Sequence, residues 1–131
     1  MTGDGVQLIV VDAANVVGSR PNGWWRDRVG AARRLLEQLT TLAAHLEQPA
    51  EVAVVLEGKA KAADPAVEGV RVVLADGSGD DAIVDVVAAA AGQDGARSIT
   101  VVTADRELRG RVEDLGAATV GPGWLLDRIN P

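Results

Sequence analysis

The sequence predicts an α/β fold: a three-layer sandwich around a mostly parallel five-stranded sheet. Three observations predict it. Short β-branched runs alternate with longer segments whose apolar residues step by three and four, so the apolar period switches between strand and helix. The strand runs are nearly continuous in Val, Ile, Leu and Ala, as expected for a parallel sheet covered on both faces. The chain has 131 residues, 47% of them hydrophobic, enough for one domain with a real core.

Val6 to Asp12 is the first strand, a dense apolar run that ends on a carboxylate. Trp25, Val29, Ala32, Leu36, Leu39, Ala43 and Leu46 then fall on one helix face. Pro49 stops that helix. Glu51 to Glu57 and Val70 to Ala75 are the next strands, joined by the polar, Pro-containing stretch 57–69, a surface crossover. A helix runs from Asp80 to Ala91 and ends at Gly92. Ser98 to Thr103 is the fourth strand. A helix from Arg106 to Leu115 follows, closed by Gly116. Residues 117–120 form a short fifth strand, and a last helix starts near Pro122, a residue suited to a first helical turn.

Composition narrows the function. There are no cysteines, so disulfides and thiolate metal sites are excluded. The only aromatics are Trp24, Trp25 and Trp124, so the core is aliphatic. No apolar stretch approaches the length that spans a bilayer, and Met1 to Gly5 lacks the basic start of a signal peptide. A cytoplasmic location is expected, with no membrane partner. The formal net charge of −6 gives no general attraction to nucleic acid. Any such binding has to come from local basic clusters.

The acidic residues are placed where ligands bind in open parallel sheets, beyond the carboxyl ends of the strands. Asp12 ends the first strand and Glu57 the second. Asp76 follows the third, and Asp80 and Asp81 open the helix after it. Asp105 follows the fourth, with Glu107 two residues on. Singly, each has a plain structural use. Ser78 and Asp81 have the spacing of a capping box. Asp105 suits a helix N-cap, and Asp12 and Asn15 suit a turn. Together they conflict, because two carboxylates about 4 Å apart repel by roughly 4 kcal/mol at an effective dielectric near 20. A cation relieves that conflict. Oxygen-only ligation suits Mg²⁺ or Mn²⁺. Zinc is disfavoured, since the single His45 lies far down the first helix. Such a metal at a sheet edge points to phosphate chemistry through an activated water, with no side-chain nucleophile required. Arg20, Arg26, Arg28, Lys59, Lys61, Arg106 and Arg109 surround this edge. Arg26 and Arg28 fall in first helical turns, where the macrodipole disfavours positive charge unless an anion or the neighbouring Asp27 relieves it. Trp25 belongs to the buried stripe; Trp24 lies off it and is a candidate for stacking on a base. Trp124 packs the final helix with Leu125 and Ile129.

Four stretches carry a resemblance: "VVDAANVVGS" after the first strand, "VVLEG" after the second, "GSGDDAIVD" opening a helix, and "VVTADREL" after the fourth. In this order and spacing, over residues 6–128, the chain resembles the NYN branch of the PIN-like nucleases. The resemblance implies a Rossmann-like sheet in the order 3-2-1-4-5 and a metal-dependent ribonuclease that hydrolyses RNA phosphodiesters. It implies Asp12 as central metal ligand, Asp105 as its neighbour, and Asp81 with Asp80 from the helix N-terminus. Asn15 orients Asp12 or meets a phosphate, and Glu57 matches an acidic position of related nucleases. Thr103 matches the hydroxyl residue at such sites, and Asp85 lies one turn beyond Asp81. On this reading Asp12, Asp81, Asp105 and Asn15 are catalytic, and Asp12, Asp80, Asp81, Asp105 and Glu57 hold the metal. Arg20, Trp24, Arg26, Lys59, Lys61, Thr103 and Arg106 meet RNA, and a homodimer is the candidate assembly. The chain departs from many relatives at Arg106-Glu107, where a small residue and Asp are common. A catalytically silent RNA-binding module of the same fold is the alternative. A response-regulator receiver needs an acidic pair at the first strand and a late Lys, but no Lys follows Lys61. A haloacid-dehalogenase phosphatase needs D-x-D where this chain has "DAAN".

Overall fold

The structure is a computed structural model and describes residues 7–18, 26–44, 50–58, 70–92 and 98–129. The elements are β1 (Gln7–Asp12), α1 (Ala13–Gly18), α2 (Arg28–Ala44), β2 (Ala50–Leu56), β3 (Val70–Leu74), α3 (Gly79–Ala91), β4 (Ile99–Val102), α4 (Arg106–Glu113), β5 (Ala118–Val120) and α5 (Pro122–Ile129). The five strands form one sheet in the order β3-β2-β1-β4-β5. Every pairing is parallel, with Val10 opposite Ala53 on one side and Val101 on the other. The order reverses direction at β1, which places the crevice beyond its carboxyl end, between the starts of helices on opposite faces.

The β1 residues alternate between two aliphatic cores, as the period of a strand requires. Ile9 and Val11 join Val52, Val54 and Val102 beneath Leu35, Leu36 and Leu39 of α2, with Leu125 of α5 alongside. Leu8 and Val10 join Ala53, Val55 and Val101 beneath Ile83 and Val87 of α3 and Leu108 and Val112 of α4. This two-sided burial is why the strand reads as a continuous apolar run. Among the described residues, no helix is long and apolar enough to cross a membrane.

Two expectations change. The chain turns helical directly after Asp12, so α1 is an additional element between β1 and the amphipathic helix. Arg26 lies before α2 instead of within its first turn. Asp27 caps that helix by accepting the Gly30 N–H at 2.9 Å, while the Asp27 carbonyl takes the Ala31 N–H. The helix dipole is thereby met by Asp27 itself. At the other end of the fold, α4 closes with Gly116 at φ +96°, and the Ala117 N–H bonds to the Val112 carbonyl, as in a Schellman motif.

Candidate functional site

Asp12 is 6% exposed, at the last position of β1. Because α1 starts at Ala13, its Oδ1 is positioned to accept the Asn15 N–H, at 3.3 Å. Its Oδ2 accepts the hydroxyl of Thr103 at 2.9 Å. Thr103 is fully buried, and a hydroxyl has one proton to give. That proton goes to Asp12, and the Thr103 oxygen accepts the Asp105 N–H at 3.2 Å. The Asn15 side-chain oxygen accepts the Ala104 N–H at 2.9 Å. A backbone N–H only donates, so the oxygen of the amide faces it. Asn15 and Thr103 therefore tie the turn after β4 to the turn after β1. Asp105 caps α4 by accepting the Leu108 N–H on Oδ1, at 3.1 Å.

Glu57 approaches from β2. Its Oε2 accepts the Gly79 N–H at 2.6 Å, so its charge meets the positive end of α3. Gly79 is buried, and a Cβ there would stand 2.9 Å from the Glu57 carboxyl carbon. Ser78 caps the same helix, but it accepts from Asp80 N–H, at 3.1 Å. The reciprocal reach of Asp81 expected for a capping box is replaced by an ion pair to Arg111 at 3.0 Å, with the Asp81 side chain 71% exposed.

The acidic residues act on one another by charge. Burial pushes the Asp12 carboxyl above its ordinary range, and the Asp80 and Glu57 charges add to the rise. The hydrogen bonds from Thr103 and Asn15 oppose it. Asp80 is raised by burial and then by Asp105 and Glu57, with Arg111 opposing and Glu107 adding. Asp80 is thus within charge reach of Asp12, Glu57 and Asp105. The donors are all oxygens, the chemistry of a hard divalent cation. Their positions do not close around one: among the described residues, no three His, Cys, Asp or Glu side chains stand close enough to hold a metal ion.

Thr103 is buried and supports Asp12, so it is not a surface that meets substrate. Arg106 and Glu107 are exposed at the start of α4, and Asp76 is exposed after β3. Trp124 is half-buried against the α2 side of the core, with the Arg128 guanidinium 4.0 Å over its ring. A cavity of about 410 Å³ between β3 and α3 is lined by Arg71, Asp76, Asp81 and Asp85 among others. It does not include Asp12, so Asp81 and Asp85 face a groove beside the acidic centre. Arg20, Trp24, Trp25, His45, Lys59 and Lys61 lie outside the described residues. Sequence reasoning missed Gly79 and Arg111. The glycine in "SGDD" was a usable signal, because the first residue of a helix facing an acidic strand end has to leave room for the carboxylate. Arg111 offered none.

No protein-family model matches the chain, and no curated protein sequence matches it. Solved structures do share its architecture. Rae1 (YacP) from Bacillus subtilis superposes with a TM-score of 0.75 at 19% identity, over 95% of this chain and 74% of that one. A tryptophan-to-leucine variant of Rae1 superposes with a TM-score of 0.78 at 19% identity, over 95% and 75%. The chain has the fold of Rae1, a parallel α/β sheet in the order 3-2-1-4-5 between layers of helices. At this identity the likeness concerns the fold, and the chemistry rests on the residues of the site.

Proposed function

We propose that this chain is a Mg²⁺- or Mn²⁺-dependent ribonuclease that hydrolyses RNA phosphodiesters. The observation that carries the reading is Asp12: a buried carboxylate at the switch point of the sheet, kept in place by Thr103 and Asn15, beside Asp80 and Glu57. Perturbed carboxylates that share the ligand edge of a sheet are the pattern of a functional site. Asp12, Asp80, Asp105 and Glu57 are the residues that would hold the cation. When bound, it would supply a water of lowered pKa and charge stabilisation at the phosphoryl oxygens.

The chain's own residues do the positioning. Thr103 fixes the Asp12 carboxylate and the Asp105 backbone with one hydroxyl. Asn15 pins Ala104, which keeps the Asp105 turn against β1. Glu57 is held by the Gly79 N–H at the N-terminus of α3. On this reading Asp80 takes the metal position that the sequence left open between two adjacent aspartates, while Asp81 joins α3 to α4 through Arg111. Arg106 and Arg109 give RNA a basic approach against the overall negative charge.

One observation favours a second reading, an RNA-binding module without catalysis: the described carboxylates are not gathered closely enough to hold a metal. Labelled single-stranded RNA incubated with Mg²⁺ or Mn²⁺ decides between the two. Cleavage that stops in EDTA, and that falls in Asp12→Asn by roughly two orders of magnitude or more, supports the enzyme. RNA that is bound but left intact with either metal overturns it in favour of the binding module.

A further inference from the structure

The last rung of the sheet is completed by a side chain. Thr103 donates its N–H to the Val120 carbonyl at 2.9 Å. In a parallel ladder the Thr103 carbonyl, on the same side, would accept the N–H two residues beyond Val120. That residue is Pro122, which has no N–H. Arg109 takes the rung, donating from Nε to the Thr103 carbonyl at 2.9 Å. Its guanidinium is thereby fixed across the carboxyl ends of β4 and β5, with Nη2 3.6 Å from where a Gly121 Cβ would stand.

Among the described residues one donor of the fork is used, the Nε, and no bond is made by its outer edge. Among the described residues no carboxylate pairs with Arg109, whereas Arg111 is paired with Asp81 and Arg128 lies over Trp124. A guanidinium held through Nε presents its two terminal nitrogens in the geometry that grips two oxygens of one phosphate. We infer that Arg109 is a phosphate-binding position, taking a backbone phosphate of the nucleic-acid strand on the β4–β5 side of the carboxylates. The inference rests on the ribonuclease reading, and it gives the strand a register. The residue whose carbonyl anchors Arg109 is the one whose hydroxyl holds Asp12, so phosphate and acidic centre are set by one residue.

The test measures RNA binding, not cleavage. The full chain carrying Asp12→Asn is titrated with labelled single-stranded RNA over a range of salt. Adding Arg109→Gln is expected to lower affinity about tenfold. It should also make the slope of log K against log salt shallower by about 0.7, the loss of one phosphate contact on a single strand. Arg109→Lys keeps the slope and loses part of the affinity, since it keeps the charge without the fork. Pro122→Ala returns the missing N–H to the ladder, so Arg109→Gln is also read in that background, where the Thr103 carbonyl has a donor. An unchanged slope in both backgrounds, or full recovery of affinity by Pro122→Ala, makes Arg109 a structural residue only and overturns the inference alone. An Asp12→Asn chain that binds no RNA overturns the RNA reading, and this inference with it.

Discussion

Asp12 holds a carboxylate at a position that is 6% exposed and within reach of the Asp80 and Glu57 charges. Burial is the largest cause of its raised pKa, so the folded state holds the proton more tightly than the unfolded chain, whose carboxyl titrates near 3.8. Stability therefore falls as pH rises from that value through the raised pKa of Asp12, and the full penalty is present above it. Asp80 contributes with the same sign. Asp12→Asn removes the charge and keeps an oxygen for Thr103. Urea unfolding at neutral pH is expected to show the variant more stable than the wild type, with the advantage shrinking as pH falls toward 3.8. A variant less stable at neutral pH would mean that the charge at Asp12 is met within the fold. Asp12 and Asn15 were legible in the sequence because a carboxylate ending an apolar strand is unusual. Thr103 was reached only through the resemblance and Ala104 not at all, since the bonds to them join residues about ninety positions apart.

Elements were legible where their period was long enough to register. The amphipathic helix, α3 and α4 each repeat an apolar face over two turns or more. The six-residue α1 does not, and its "AANVV" continues the apolar run of β1, so strand and helix merge in the sequence. The same limit applies to the start of α3, where Asp80 and Asp81 have equal claims until the helix phase is known. That phase puts Gly79 against Glu57 and turns Asp81 toward Arg111. Gly79→Ala places a Cβ 2.9 Å from the Glu57 carboxyl carbon, and either the carboxylate or the helix start has to move. The variant is expected to unfold at lower temperature and to cut RNA more slowly than Gly123→Ala, whose Cβ meets nothing within 4 Å. Equal melting temperatures and rates would show that Glu57 is not held where the site needs it.

For the molecule as a whole, the layers follow from apolar runs that can be buried only between two sheets of helices, and the structure has them. The strand order came through the family resemblance, because no pattern within the chain distinguishes 3-2-1-4-5 from other parallel orders. That order makes the site: it brings β1 and β4 together, so Asp12 and Asp105 meet through Thr103, while Glu57 and Asp80 close in from the β2 side. Four carboxylates share one edge by charge without closing on a common point, and on the proposed reading a divalent cation would draw them in. Crystals soaked in Mn²⁺ test this most directly by anomalous diffraction. A manganese peak in contact with Asp12 and with Asp80 or Asp105 is the expected result. A well-ordered site with no peak there would contradict it.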